Sequence, residues 1–365
     1  MPNLQILRFL AAFLVLVSHV QHEAMKGTFL NMGGYQPWEF IYFAGGVDIF
    51  FVISGFIMYA IASGDFGQPG KARTFFLRRL VRIVPPYWLF TTAMVGAALV
   101  FQSHVTHSAL ALDHILASYF FLPYPNPYGQ AYPVLMLGWT LNYEFFFYVI
   151  FGLALMFPKK IGIGVIFGII GLCGALGAAQ LVQRQPFFFW SNPIVFEFLF
   201  GIALAMLRER GVRCGAAAGW GMIALGFAAM WLLKSAGIAG DFWVMRALWM
   251  GLPAVLICAG VVLAREPSAA VIAAGPGPIT RRLVLLGDAS YAIYLSHPFA
   301  LNAVALLWKR LGWHDPWVYV TVACAVSLAV GVLVHLWIEK PMTRYLNTRL
   351  SKRLARPGAP ISRPA

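Results

Sequence analysis

The chain has 365 residues, of which 60% are hydrophobic and only 11% are charged, and its mean hydropathy is +0.74. About a quarter of the residues in soluble domains are charged, so this composition excludes an ordinary soluble enzyme and is typical of an integral membrane protein. The net charge of +14 comes from basic residues between hydrophobic segments rather than on one soluble face, which argues against a nucleic-acid partner.

Apolar stretches of about 20 residues, the length that crosses about 30 Å of hydrocarbon, recur from the first residues to beyond residue 330. They predict an all-α polytopic membrane protein with about ten transmembrane helices, each placed to within several residues. The predicted helices span roughly 4–21, 41–61, 86–102, 137–157, 161–182, 190–207, 217–234, 244–264, 287–308 and 317–338.

Basic residues are distributed unevenly along this topology. With the N-terminus inside, 20 of the 27 Lys and Arg residues fall on cytoplasmic segments, six fall outside and Arg8 lies in the first helix. The positive-inside rule therefore predicts that both termini are cytoplasmic. We divide the chain into a transmembrane domain, 1–340, and a basic cytoplasmic tail, 341–365.

The first helix carries two ionisable residues, Arg8 and His19. They are eleven positions apart, which in an α-helix leaves them about 20° off a common face and about 16 Å apart in height. Charged groups inside a membrane are costly, so both side chains are expected to face the bundle interior or a watery cavity. The alternative is that each extends to the nearer interface.

Residues 71–84 are predicted to form an amphipathic helix on the cytoplasmic membrane surface, stopped by Pro85-Pro86 before the third transmembrane helix. Its arginines at positions 78, 79 and 82 stand three and four apart, a spacing that presents guanidinium groups to phosphates. The phosphates of anionic lipids are an equally good partner for this face.

Four more ionisable residues, Asp48, Glu144, Glu197 and His297, are predicted at a depth similar to that of His19. An aspartate that pairs with His19 would suit a general base acting on a hydroxyl. The same groups would also serve a proton path, a substrate pocket or hydrogen bonds between helices.

Aromatic residues concentrate in the segment LPYPNPYGQAYP and in Trp139 and Tyr143 after it. They would stack on sugar rings at the outer mouth of the bundle, or form part of an interfacial aromatic belt. We expect no metal site, because the outer histidines and acids are loosely spaced within one loop: His104, His107, Asp113 and His114.

The sequence resembles the acyltransferase family 3 membrane proteins, which O-acylate bacterial surface polysaccharides and related molecules. The most specific motif is Arg8, ten intervening residues and His19, in the setting LRFLAAFLVLVSH. The segments GVDIFFVISGF, RRLVRIVPPYW, WTLNYEFFFY, SYAIYLSH and WIEKP follow in the family's order. The chain is most similar to exopolysaccharide O-acetyltransferases of the succinoglycan type.

This resemblance implies a multi-pass protein of the bacterial cytoplasmic (inner) membrane. It also implies acyl-CoA, most simply acetyl-CoA, as a donor reached from the cytoplasm, and a glycan or lipid-linked oligosaccharide as the acceptor. The family's Arg and His fall on Arg8 and His19, and its paired basic motif falls on Arg79 and Arg82.

Predicted site residues fall into three groups: catalytic His19, Asp48 and Glu144; CoA-binding Arg8, Arg78, Arg79 and Arg82; and acceptor-binding Glu197, His297, Trp139 and Tyr143. A homodimer is compatible with this arrangement. Two other functions remain open from the residues alone, a transporter or flippase of a polysaccharide precursor and a non-catalytic subunit of a polysaccharide assembly complex.

Overall fold

The computed structural model describes residues 1–26, 35–100, 111–126, 129–238, 245–265 and 275–354. Within these residues the chain is helical and forms no β-strand, apart from one isolated bridge between Cys214 and Ala264. The α-helices are α1 (Pro2–Lys26), α2 (Gly46–Ala62), α3 (Lys71–Val100), α4 (Leu112–Tyr119), α5 (Trp139–Ala154), α6 (Lys159–Ala178), α7 (Phe187–Trp190), α8 (Phe196–Glu209), α9 (Ala216–Ser235), α10 (Leu252–Val262), α11 (Pro278–Asp288), α12 (Ser290–Leu311), α13 (Pro316–Val334) and α14 (Lys340–Leu354).

Six helical runs in the described part of the chain are long and apolar enough to cross a membrane. These candidate spans are Pro2–Met25, Phe43–Ala62, Lys71–Val100, Lys159–Ala178, Ala216–Ser235 and Pro316–Leu354. The all-α membrane architecture is therefore as expected, whereas ten spans and cytoplasmic termini remain predictions.

Several predicted spans are shorter as helices than their apolar sequence suggests. The helix α5 begins only after a 3₁₀ turn at Met136–Gly138, and α8 begins after a 3₁₀ turn at Pro193–Val195. These turns are as apolar as the helices they precede, so hydropathy cannot separate them from a continuous span. With 16 and 14 residues, α5 and α8 rise only about 24 and 21 Å.

The predicted surface helix that stops at Pro85-Pro86 is wrong, because α3 runs without interruption from Lys71 to Val100 with both prolines inside it. Each proline removes one backbone hydrogen bond, which neighbouring helices and side chains in a membrane protein can compensate. The arginines at 78, 79 and 82 therefore belong to the same helix as the apolar segment that follows them.

The C-terminal segment is also more continuous than the sequence suggests. A helical run extends from Pro316 to Leu354 and includes a π-helical turn at His335–Glu339, so the predicted boundary between residues 340 and 341 falls inside a helix. The helix α14 packs against α3. Residues 355–365 of the predicted tail lie outside the described residues.

The helix α1 lies at the centre of the bundle and packs against α2, α10, α11, α12 and α13. Glycines permit the closest of the neighbouring contacts. A Cβ atom on Gly55 of α2 would collide with the backbone of Phe198, and one on Gly201 of α8 would collide with the backbone of Val52. Small residues that let helix backbones touch are typical of membrane helix interfaces, and here they lock α2 against α8.

Candidate active site

A narrow cavity lies among α1, α2, α3, α5 and α12 and encloses about 110 Å³. One water molecule needs about 10–15 Å³ measured in this way, so the space accepts several waters or a slender chain but no bulky group. Its polar lining comes from all five helices: Arg8, Ser54, Arg79, Arg82, Thr140, Glu144, Tyr148, Ser290, Tyr291 and Tyr294.

Three arginines and one acid supply the charges that line this cavity. Arg8 donates to Gln5 Oε1 at 2.8 Å and to the buried Ser290 Oγ at 2.9 Å, which ties α1 to α12. Among the described residues, the buried Nε of Arg79 has no hydrogen-bond partner. Three cations against one acid leave the lining with an excess of positive charge, which suits an anionic ligand.

The three predicted arginines of α3 do not share one environment. Arg79 and Arg82 line the cavity, whereas Arg78 is exposed and is not part of its lining. All three arginines lie within about 100° of one another around the helix axis, with Arg82 between the other two, so their spacing alone does not separate Arg78 from the cavity. Because Arg78 is absent from the lining, the prediction that it binds the donor has no support from the geometry.

Glu144 lies inside the cavity, where its carboxylate accepts a hydrogen bond from Ser54 Oγ at 3.0 Å. It also interacts electrostatically with Arg79 and Arg82. Its neighbours are thus the cavity cations, and its predicted role of orienting His19 stays a prediction.

His19 is oriented by a second histidine. Its Nδ1 lies 2.9 Å from Nε2 of the buried His297, with the two rings within 15° of parallel. The Nδ1 of His297 lies 3.2 Å from the carbonyl oxygen of Ile293, which can only accept, so the hydrogen-bond network assigns the proton of His297 to Nδ1.

This assignment places a proton on Nδ1 of His19. In a neutral imidazole one nitrogen donates and the other accepts, so Nε2 of His297 accepts from the Nδ1–H of His19. When His19 is neutral, its Nε2 is the unprotonated nitrogen, the form that a general base requires.

Tyr294 connects the histidine pair to the cavity. Its ring lines the cavity and lies 6.1 Å from the ring of His297, measured between centroids. Its hydroxyl lies 3.0 Å from Thr140 Oγ1 and donates to the carbonyl oxygen of Leu137 at 2.9 Å. Neither His19 nor His297 is part of the cavity lining, and the ring of Tyr294 lies between that lining and His297.

Asp48 belongs to a separate buried cluster with Arg246 and Glu197, here called the Asp48 cluster. Arg246 donates to both carboxylate oxygens of Asp48, from Nε at 3.0 Å and from Nη2 at 2.7 Å. Sequence reasoning expected Asp48 to pair with His19, and it missed Arg246 as a partner. A lone Arg just before the apolar run ALWMGLPAVL was the available signal.

Glu197 lies beside Asp48 and Arg246 and is fully buried. Neither of its carboxylate oxygens has a hydrogen-bond partner within the described ranges. No residue of the Asp48 cluster lines the cavity. Glu197 is thus not part of the cavity lining, and its predicted role in acceptor binding remains untested.

Trp139 and Tyr143 also lie away from the cavity lining. Tyr143 is buried, stacks on Phe189 with ring centroids 4.2 Å apart and donates its hydroxyl to the Phe189 carbonyl oxygen at 2.8 Å. Trp139 packs edge-on against the Tyr143 ring at 6.0 Å. Both contacts are structural, and the predicted role in acceptor binding remains untested.

Several lining residues were not singled out from the sequence. Ser290, Tyr291 and Tyr294 all fall in the segment SYAIYLSH. The helical spacing of Ser290, Tyr294 and His297, at i, i+4 and i+7, places them on one face and was the available signal. For metals, the described residues contain no group of three His, Cys, Asp or Glu side chains placed to bind one ion.

A cation-lined cavity and a pair of hydrogen-bonded histidines, inside a bundle of apolar helices, suit a membrane-embedded group-transfer enzyme. The sequence model of one family, described as an acyltransferase domain, matches residues 1–336. The chain therefore belongs to the acyltransferase 3 family and is an acyltransferase, which sets aside the transporter and the assembly subunit.

Two relatives extend this assignment. The chain is 34% identical over 303 residues to the "Exopolysaccharide production protein ExoZ" of Rhizobium meliloti (strain 1021), covering 82% of this chain and 90% of that protein. It is 26% identical over 381 residues to "Nodulation protein 10" of Rhizobium leguminosarum bv. viciae, covering 97% and 96%. No solved structure matches the chain.

Proposed function

We propose that the protein transfers an acyl group, most simply acetyl, from cytoplasmic acyl-CoA to a hydroxyl of an extracytoplasmic or lipid-linked glycan. The observation that carries this proposal is the hydrogen bond between His19 and His297. His19 lies on helix α1, and Arg8 of the same helix lines the cavity. The resemblance to an exopolysaccharide production protein supports a polysaccharide as the acceptor.

In this proposal the arginines of the cavity bind the diphosphate of coenzyme A. Guanidinium groups form charge-assisted hydrogen bonds to phosphate, and the lining carries more cations than acids. The narrow space then accepts the extended arm that bears the thioester. About 16 Å separates Arg8 from His19 along the helix axis, a span that an extended arm can cross.

His19 acts as the general base in the transfer step. Its Nε2 removes the proton of the acceptor hydroxyl while that oxygen attacks the thioester carbonyl carbon. A carbon–oxygen bond forms and the carbon–sulfur bond breaks. The thiolate then takes the proton from His19, so the products are the acylated glycan and free coenzyme A.

A two-step route fits the same geometry. Nε2 of His19 would attack the thioester carbonyl carbon and form an acyl-histidine as the carbon–sulfur bond breaks and the coenzyme A thiolate leaves. The acceptor hydroxyl would then take the acyl group from Nε2 and give up its proton, which the thiolate receives. Incubation with labelled acetyl-CoA without acceptor separates the routes, because only the two-step route leaves label on the protein.

The central experiment measures transfer of radiolabel from acetyl-CoA, added to inverted membrane vesicles, to host glycan. We expect His19→Ala to lower transfer by about 10²–10⁴-fold, the usual contribution of a general base. The matched control is His22→Ala, which removes an exposed histidine one turn further along α1. Transfer by His19→Ala at the wild-type rate would reject both routes.

A further inference from the structure

An open groove runs along one face of the C-terminal helix. It has a volume of about 790 Å³ and carries four basic side chains without an acid. Most of the lining residues fall in adjacent pairs that recur every four positions, so they share one helix face: Leu336, Lys340, Pro341, Arg344, Tyr345, Thr348, Arg349 and Lys352. We call this surface the basic groove.

Packing holds the basic groove in place. The helix α14 lies against α3, and the positions of α14 that are partly buried, among them Met342, Leu346 and Leu350, lie between the groove residues in sequence. The apolar side of α14 is thus covered while its cationic side stays open. The groove consequently has a fixed orientation relative to Arg79 and Arg82 on the same α3.

The basic groove begins next to the arginine end of the cavity. Glu339, which directly precedes Lys340, is close enough to interact electrostatically with Arg8 and with Tyr291, and both of these line the cavity. From Lys340 to Lys352 the groove extends about 18 Å along the helix axis. A ligand that enters the cavity from this end passes the start of the groove.

Size divides the proposed donor between the two spaces. Pockets for whole cofactors usually have volumes of about 300–1,000 Å³, so the 110 Å³ cavity accepts the arm of acyl-CoA but not its nucleotide. The nucleotide must then lie outside the cavity, and the basic groove is an open surface next to the arginine end of the cavity.

The chemistry of the groove matches a nucleotide with phosphate groups. Lys and Arg side chains bind phosphate oxygens through charge-assisted hydrogen bonds. Tyr345 is 55% exposed, and the guanidinium of Arg349 lies over its ring at 4.6 Å, which leaves the other ring face for a base. Bases of nucleotides commonly stack on exposed aromatic rings.

We propose that the basic groove binds the 3′-phosphorylated adenosine half of acyl-CoA, while the cavity holds the diphosphate and the thioester arm. This inference rests on the proposed donor and assigns it a second binding surface. The residues that contact the nucleotide are Lys340, Arg344, Tyr345 and Arg349.

The test measures binding of adenosine 3′,5′-bisphosphate and of coenzyme A to the full chain in nanodiscs of phosphatidylcholine alone. The groove variant is Lys340→Gln/Arg344→Gln/Arg349→Gln. Its matched control, Arg281→Gln/Arg282→Gln/Arg353→Gln, removes the same charge from exposed positions outside the groove. We expect bisphosphate affinity to fall at least tenfold in the groove variant and to stay within twofold in the control.

The outcomes separate the inference from the proposed function. If wild type and groove variant bound coenzyme A and the bisphosphate equally well, the proposed role of the basic groove would be wrong. The proposal that coenzyme A is the donor would stand. If wild type bound neither probe, the coenzyme A donor itself would fail, and the groove with it.

A lipid site is the remaining outcome. Phosphatidylglycerol is added to the nanodiscs, and its association is measured in both variants. If the groove variant lost only phosphatidylglycerol and kept coenzyme A, the groove would be a lipid site and the inference would be wrong. Size-exclusion profiles confirm that each variant is folded.

Discussion

Two groups of ionisable side chains lie among the helices, and they are built in opposite ways. In the first, the cavity region, Arg8, Arg79 and Arg82 surround an open space with Glu144, and the His19–His297 pair lies beyond it. In the Asp48 cluster, Arg246 engages both oxygens of Asp48, and no member lines the cavity.

This difference indicates what each group contributes. Charges kept beside an open space are costly to stability and are retained when a ligand or a reaction uses them. Charges that pair with one another between helices leave a costly buried charge when one partner is removed. Substitutions in the cavity region should therefore alter activity, and substitutions in the Asp48 cluster should alter stability.

The largest expected effect on activity comes from His297→Leu. Loss of the acceptor on Nε2 of His297 removes the bond that keeps the proton of His19 on Nδ1, so we expect kcat to fall by about 10²–10⁴-fold with KM nearly unchanged. His297→Gln keeps an acceptor oxygen and should recover part of the rate. A purely structural role would lower both variants alike, together with their thermal stability.

Asp48→Asn should have the largest effect on stability. It leaves Arg246 without its main counter-charge, which for a buried pair costs about 3–5 kcal/mol, and Glu197 nearby should keep the loss at the lower end. Thermal unfolding followed by tryptophan fluorescence measures it. The double variant Asp48→Leu/Arg246→Met should regain most of the stability, and transfer by the folded fraction should be close to wild type.

If Asp48→Asn unfolded at the wild-type temperature but lost transfer, the division of activity and stability between the two regions would be wrong. Asp48 would then act in the reaction, as the sequence first suggested.

The arginines of α3 offer a contrast within a single helix. Arg79→Gln/Arg82→Gln should raise KM for acetyl-CoA about 10–100-fold, because two charge-assisted contacts to phosphate are lost. Arg78→Gln removes an exposed arginine of the same helix and should change KM less than twofold. Equal effects of both variants would favour a general attraction of the basic surface for membranes or anions.

The smallest expected effect comes from Tyr294→Phe. It deletes the hydrogen bonds to Thr140 and Leu137, each worth about 0.5–1.5 kcal/mol, but keeps the ring at the cavity boundary. We expect a modest loss of thermal stability. Transfer should stay within about fivefold of wild type, because a hydrogen bond worth about 1 kcal/mol corresponds to a change of about that size. A much larger loss of transfer with unchanged stability would place the hydroxyl in the reaction itself.

The sequence predicted the helices better than it predicted which ionisable side chains pair with one another. Apolar length and composition were enough for the all-α architecture. The spacing of Arg78, Arg79 and Arg82 predicted that the three act together, whereas the cavity lining contains Arg79 and Arg82 but not Arg78. The partners of Asp48 and His19 were not predictable in the same way. Arg246 is 198 positions from Asp48 and His297 is 278 from His19, so only the packing of distant helices brings them together.

Proline was the main source of error in the boundaries. Pro85 and Pro86 predicted the end of a helix, yet both lie inside α3. Rules for proline come from helices in water, where a freed carbonyl group gains a hydrogen bond from solvent. Within a helix bundle, packing against neighbouring helices decides whether a helix continues past a proline, and the local sequence does not reveal that packing.

Arg8 and His19 lie on one uninterrupted helix, so an insertion between them both shifts and rotates one side chain relative to the other. Inserting a single alanine between them would advance His19 by about 1.5 Å and turn it by about 100°. The small advance is tolerable to a flexible arm, whereas the rotation would point the imidazole at a different neighbour and away from His297. The rotation of Arg8 and His19 relative to each other about the helix axis, more than the distance between them, is therefore what this helix must preserve.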